Sequence, residues 1–288
     1  MQGPERSSFH TILYLMAIPL AGLAIFFFWQ WIHSGEVSKP AAPNSEKKIE
    51  AKPVEVAPQS ALPAVKPKRR HRGDIVLIID DLGFDGQPLD KVMALDPNLN
   101  CSILPNGTRA AEFAEKLHAR GFEVLCHLPM EPQGRETPGR NAILTSMSDE
   151  EIARTTRENI EAIPYARGVN NHMGSRATTD RRVMESVIRA MPDGLYFIDS
   201  RTTGGSIAEK VAREMNVRTA SRSIFLDDVA TEHSVRKQLA ALATAAQTKG
   251  VAVGIGHPYP VTMRVLADDL PDLKAQGFRL VRASSVVR

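Results

Sequence analysis

The chain is 288 residues long with a formal net charge of +3 at pH 7, which suits one large domain with extensions. Its two cysteines, Cys101 and Cys126, stand in neither a Cys-x-x-Cys nor a zinc-finger spacing; both fall in strand-like runs, where buried free thiols are expected and a disulfide between neighbouring strands stays open. The basic run Lys66-Pro67-Lys68-Arg69-Arg70-His71-Arg72 has no interleaved aromatic residues, so it reads as a solvated tether and gives no nucleic-acid platform.

Residues 12–32 form an apolar stretch about as long as a bilayer-spanning helix needs. Arg6 precedes it, and Phe26-Phe27-Phe28-Trp29 and Trp31 suit the far interface. No convincing small-x-small cleavage site follows, so the stretch reads as an uncleaved signal-anchor with residues 1–11 in the cytoplasm. The remainder would then lie in the periplasm, tethered to the inner membrane; secretion after signal cleavage is the alternative. Residues 33–73 turn to Pro, Ala, Lys and Glu without core periodicity, the composition of a disordered linker.

From residue 74 onward, strand-like runs alternate with helical patterns. Ile75-Val76-Leu77-Ile78-Ile79 reads as a strand buried on both faces, and it ends in Asp80-Asp81. Leu99 to Leu104 gives a second strand, after which Thr108 is placed to cap a helix closed by Gly121. A third strand, from Phe122, ends in His127, with Glu131 four residues on. Ser148 with Glu151 predicts a capping box, and Ser206 with Glu209 another. The fourth strand ends in Asn170-Asn171-His172 and the fifth in Asp199-Ser200-Arg201. Residues 217–226 read as one sixth strand followed by Asp227-Asp228, taken as a helix N-cap. A helix from about Ser234 leads to a seventh strand ending in His257. A last helix precedes an eighth strand near Phe278.

This order predicts an α/β fold with parallel strands and helical crossovers, a (β/α) barrel of about seven strands with irregular closure. A doubly wound open sheet is the second choice. Five strand ends each deliver an acid or a histidine, and in such folds that edge is where sites are built. The donor set of Asp80, Asp81, His127, Glu131, His172, Asp199 and His257 contains carboxylate and imidazole but no thiolate. It suits zinc, manganese, cobalt or iron(II). The absence of Gly-x-Ser-x-Gly and of Gly-x-Gly-x-x-Gly argues against a serine hydrolase and a dinucleotide enzyme. A metal-dependent glycosidase using Asp80 and Asp199 stays open as a further reading.

The wording Ile79-Asp80-Asp81-Leu82-Gly83, His127-Leu128-Pro129-Met130-Glu131-Pro132, Asn170-Asn171-His172-Met173-Gly174-Ser175 and Phe197-Ile198-Asp199-Ser200-Arg201-Thr202 closely resembles the divergent polysaccharide deacetylase family, within the NodB-homology superfamily. The resemblance covers about residues 73–288. It implies a deformed barrel and metal-dependent removal of N-acetyl groups from an envelope polysaccharide or peptidoglycan fragment. It also implies Asp80 as base, Asp81 and His127 as metal ligands, and His257 as acid. The second histidine of the superfamily's His-x-x-x-His pair is replaced by Glu131, so either Glu131 or His172 supplies the next ligand, zinc being the expected ion. Asp199 is expected to orient a histidine or to bind a sugar hydroxyl. The superfamily's fourth-strand arginine–proline motif is absent, and Asn170-Asn171-His172 stands there. The alternative function is a catalytically inactive glycan-binding or scaffold module with the same fold.

Overall fold

Nine strands and seven α-helices follow one another in the computed structural model, which describes residues 71–288. The expected anchor at residues 12–32, and all but the last few residues of the expected linker, lie outside the described residues. The strands are β1 (Gly73–Leu82), β2 (Asn100–Ile103), β3 (Glu123–Met130), β4 (Ala166–Met173), β5 (Tyr196–Asp199), β6 (Thr219–Ser221), β7 (Ile224–Phe225), β8 (Val251–Gly256) and β9 (Phe278–Leu280). The helices are α1 (Leu89–Met93), α2 (Ala110–Ala119), α3 (Asp149–Glu161), α4 (Arg181–Ala190), α5 (Ala208–Glu214), α6 (Glu232–Lys249) and α7 (Pro260–Ala275).

Every strand pairing is parallel, and the path runs β6-β5-β4-β3-β2-β1-β8-β7. The two ends of that path are neighbours in sequence. The single sixth strand expected over residues 217–226 is broken at Arg222-Ser223, where the chain stops pairing with β5 and starts pairing with β8. The Arg222 amide donates to Asp199 O and the Ser223 amide to Val253 O, at 2.9 and 2.7 Å, so the kink itself bridges both neighbours. This split strand closes the deformed (β/α) barrel.

Period-two alternation sorts the side chains. Ile75, Leu77, Ile79, Val124, Cys126, Leu128, Phe197 and Ala252 pack outward with Phe113, Leu117, Val187 and Leu239 of the helices. Val76, Ile78, Leu125, Tyr196, Ile198, Val253 and Ile255 form a separate inner cluster with Ala283 and Val287. Both cysteines are buried free thiols, and burial pushes each thiol well above its ordinary pKa.

The barrel floor is polar but satisfied. Glu123 accepts from Tyr196 Oη at 2.6 Å, from the Ser284 amide at 2.8 Å and from the Ser284 hydroxyl. β1 pairs with β9 along its first residues and with β2 along its last. Since β8 occupies the other edge of β1, these two short strands share one edge. Asn100 spans the join, donating to Leu77 O and accepting from the Ala283 amide, each at 2.9 Å.

The Ser148–Glu151 capping box is present at α3, with both reciprocal hydrogen bonds. Of the other expected caps, Thr108 makes no bond to its helix and the Ser206–Glu209 box is not closed. Thr108 bonds Asp85 instead of a helix amide. The Ser206 hydroxyl donates to Asp199 at 2.7 Å and accepts from the Ala208 amide at 3.3 Å, while the Glu209 amide goes to Asp199. The helix after the split strand starts at Glu232 and is capped by Thr231, so Asp227-Asp228 is not its N-cap.

Candidate active site

The site is built at the C-terminal ends of the strands, above the inner apolar cluster. Asp80 continues the inward row of Val76 and Ile78. Between the pairs Ile79–Cys101 and Leu82–Ile103, β1 takes three residue steps to two in β2, a bulge of one extra residue. Asp81 occupies it with φ +58°, a left-handed conformation that aspartate tolerates better than most side chains. The bulge resets the alternation, so Asp80 and Asp81 both reach the barrel mouth while Leu82 returns to the outer core. Met173 and Arg201, just past His172 and Ser200, are also left-handed, at φ +51° and +47°. Backbone strain thus gathers at one rim, as it does around functional sites.

His127 and His172 arrive on the inward faces of β3 and β4. Asp81 Oδ1 lies 3.2 Å from His127 Nε2 and 2.9 Å from His172 Nδ1. The two rings meet edge-on, with centroids 5.0 Å apart. One ligand atom from each of Asp81, His127 and His172 falls within 4.8 Å of the other two. Neither approach to Asp81 Oδ1 has hydrogen-bond geometry, and that oxygen is buried without a hydrogen-bond partner among the described residues. Two imidazole nitrogens facing an unsatisfied carboxylate oxygen make three lone-pair donors, which fit a divalent cation better than they fit one another. Burial alone would raise the Asp81 carboxyl; the two imidazoles outweigh it and hold the group below the ordinary carboxylate range.

Asp80 is 2% exposed. Burial raises its pKa, against the pull of His127 and His257. Asn170 Nδ2 donates to both of its oxygens, at 3.0 and 3.1 Å. The same amide's Oδ1 meets His127 Nδ1 at 3.0 Å and accepts from Ser102. His257 follows β8 on the inward row of Val253 and Ile255. Its Nδ1 lies 2.9 Å from Asp227 Oδ1, and its Nε2 faces Asp81 Oδ2 at 3.8 Å. Burial works against its cationic form, but Asp227 prevails and lifts its pKa to about 9. Beside Asp81, a groove of about 580 Å³ lined by Phe84, Pro258 and the exposed ring of Tyr259 opens to solvent.

Five of the seven residues expected from sequence, Asp80, Asp81, His127, His172 and His257, therefore meet at one place. Glu131 is not brought into the group of ligand atoms. Its Oε2 accepts from the Thr145 amide and hydroxyl, at 2.6 and 2.7 Å, and its Oε1 pairs with Arg176 at 3.2 Å. Those bonds tie it to the loop after β3, so of the two competing ligands His172 is the one in place. Asp199 is also elsewhere. It shares the outward row of Phe197, and its carboxylate accepts from the Arg201 amide, the Ser206 hydroxyl and the Glu209 amide. It organises the start of α5 and neither orients a histidine nor faces the groove.

Asn170, Asp227 and Arg222 were not in the expected set. Arg222 lies across the rim, with its guanidinium 3.7 Å over Phe225 and bonded to Ser200 O and Arg201 O. For Asp227 the sequence held a usable signal: it is two residues past Phe225, whose side chain points inward.

The chain is 37% identical over 216 residues to the uncharacterized protein YibQ of Escherichia coli K12, covering 75% of this chain and 67% of that one. It is 32% identical over 200 residues to an uncharacterized protein of Haemophilus influenzae Rd, covering 69% and 71%. In fold it is similar to the crystal structure of the uncharacterized protein ATU2773 from Agrobacterium tumefaciens C58, with a TM-score of 0.73 at 21% identity over 76% of this chain and 90% of that chain. The sequence profile described as divergent polysaccharide deacetylase matches residues 77–287, so the chain belongs to the divergent polysaccharide deacetylase family.

Proposed function

We propose that the protein is a metal-dependent amide hydrolase that removes N-acetyl groups from a polysaccharide or peptidoglycan fragment of the cell envelope. The observation that carries this reading is the convergence of Asp81, His127 and His172 on one point beside a buried second carboxylate, Asp80. Those three residues would hold the ion, with zinc the best match to one carboxylate and two imidazoles. When bound, it supplies a Lewis acid at the amide carbonyl and lowers the pKa of water.

Asp80 takes the proton of the attacking water. Its burial favours that task, because a carboxylate whose pKa is raised is a stronger base. Asn170 holds both Asp80 oxygens and so fixes the direction from which the proton is taken. His257 stands across the site with Nδ1 on Asp227 and Nε2 toward the reacting centre. Cationic below pH 9 or so, it gives its Nε2 proton to the departing amine. Water adds to the carbonyl carbon, the C–N bond breaks, and acetate and a free amine leave. Tyr259 and Phe84 offer faces on which a sugar ring can rest.

The reading extends to location: residues 12–32 anchor the chain in the inner membrane and the barrel works in the periplasm. Paired fusions after residue 73, one to a reporter active only in the periplasm and one to a reporter active only in the cytoplasm, test that part; activity confined to the cytoplasmic reporter would reverse it. The chemistry is tested on the full chain. Zinc at about one equivalent, and acetate released from chitin oligomers or peptidoglycan fragments by the parent but not by Asp80→Asn, are expected. Glycan binding with a bound metal and no acetate in either protein would instead favour the inactive glycan-binding module.

A further inference from the structure

We propose that Asn170 is the positioning residue that sets which nitrogen of His127 faces the metal, and that it does so through the amide that also holds Asp80. The inference rests on reading Asp81, His127 and His172 as the ligands.

The orientation of the Asn170 amide is fixed by chemistry. An ionised carboxylate only accepts hydrogen bonds, so the amide nitrogen must face Asp80, where it spans both oxygens at 3.0 and 3.1 Å. Ser200 Oγ, 3.2 Å from the same nitrogen, completes that side. The amide oxygen is then left for Ser102 and for His127 Nδ1, 3.0 Å away. An amide oxygen only accepts, so His127 must carry a hydrogen on Nδ1. In the neutral ring the lone pair is then confined to Nε2, the nitrogen 3.2 Å from Asp81 Oδ1.

Backbone register places the two side chains side by side. His127 and Asn170 are direct partners across β3 and β4, both on the inward row. Asn170 is fully buried, His127 is 2% exposed, and water has little access to substitute for the amide. A ring that donates its second N–H to a fixed oxygen is held in orientation and tautomer, and loss of such partners weakens metal binding by roughly 10–100-fold. Histidine usually finds a carboxylate or a backbone carbonyl for this purpose. Here one side-chain amide serves the ligand with its oxygen and the base with its nitrogen, so a single residue ties the two halves of the site together.

The test uses the full chain with ¹⁵N-labelled histidine, loaded with zinc alone, and reads zinc affinity by competition with a chelator. Long-range ¹H–¹⁵N spectra identify the protonated nitrogen of His127, assigned by the signal lost in His127→Gln. The parent is expected to show Nδ1–H and zinc on Nε2. Asn170→Ala should lower zinc affinity by roughly 10–100-fold and leave His127 without a single tautomer. Asn170→Asp keeps an acceptor for His127 and loses the donor to Asp80. It should retain Nδ1–H and lose less than tenfold in affinity, and it covers the case in which the alanine variant does not fold. Parent-like affinity and tautomer in Asn170→Ala, or a proton on Nε2 in Asn170→Asp, overturns the inference and leaves the metal site standing. A parent that binds no zinc removes the metal site and the inference together.

Discussion

Asp227 grips His257 at two points, accepting the His257 backbone amide on Oδ2 at 2.7 Å and meeting its ring Nδ1 on Oδ1 at 2.9 Å. Thr262, at the start of α7, donates to the same Oδ2 at 2.7 Å. The ring is thereby fixed between β7, β8 and the next helix, with Nε2 turned to Asp81.

This pairing predicts a pH dependence. In the metal-free protein the His257 pKa is raised from its ordinary value of 6.5 to about 9, by Asp227 against the opposing effect of burial. A raised folded-state pKa stabilises fully below the unfolded value and is lost as pH climbs through the folded one. Asp227→Asn should therefore cost on the order of 2–3 kcal/mol at pH 6, and much of that difference should vanish at pH 10. Chemical unfolding in the presence of a chelator measures it. In turnover assays the same change should move the alkaline limb to lower pH. An alkaline limb that stays in place would separate His257 from the acid role.

Metal removal gives a second prediction. An ion that binds only the folded chain stabilises it by RT ln(1 + [L]/Kd), about 2.7 kcal/mol at a hundred times Kd. Chelation should lower the melting temperature of the parent. Asp81→Asn should abolish that response and weaken zinc by more than about 100-fold, since it removes a ligand and not merely a supporting partner. Thermal melts with and without zinc check both. Equal zinc-dependent shifts in parent and variant would take Asp81 out of the metal shell.

Much of this site was legible because a buried parallel strand announces itself as a short apolar run, and a charge at its end has no packing reason to be there. The readings of Asp199 and Asp227 miss their positions for one shared reason, and Glu131 stands apart for a separate one. Asp199 was chosen for its position at a strand end, yet period-two alternation places it with Phe197 on the helical side. The same rule carries Asp227 inward, two residues after Phe225, although two adjacent acids before a helix look like a cap. Counting parity from the apolar residues would have exchanged the two. Glu131 lies beyond the strand end, where alternation no longer governs, and the Thr145 and Arg176 that claim it are 14 and 45 residues away. The Asp81 bulge was equally hidden, because it is visible only in the register between β1 and β2.

A third prediction concerns the barrel interior. A Cβ built on Gly168, on the inward row of β4, falls 2.3 Å from Tyr196 Cε2. That ring is fully buried, and Glu123 accepts a hydrogen bond from its hydroxyl on the barrel floor. It has no room to retreat. Gly168→Ala should destabilise by about 1–3 kcal/mol through overpacking. Urea unfolding would show it, and Gly168→Ala combined with Tyr196→Phe should not recover the loss, because the clash is with the ring and not with the hydroxyl.

The reassigned acids give the last prediction. Asp199 accepts the Glu209 amide and the Ser206 hydroxyl at the start of α5, so Asp199→Ala should cost about 1–2 kcal/mol of stability, as loss of a helix cap does. Glu131 braces its loop through Thr145 and an exposed Arg176, so Glu131→Gln should cost about 1 kcal/mol or less. Neither change touches the ligand atoms, and zinc affinity should stay within about threefold of the parent in both. His172→Ala, in contrast, should lose zinc while leaving the Asp199 and Glu131 loops intact. Isothermal titration of the three variants distinguishes the assignments. A loss of zinc in Glu131→Gln with retention in His172→Ala would restore the carboxylate as the ligand, and would mean that the loop after β3 swings Glu131 inward when the ion binds.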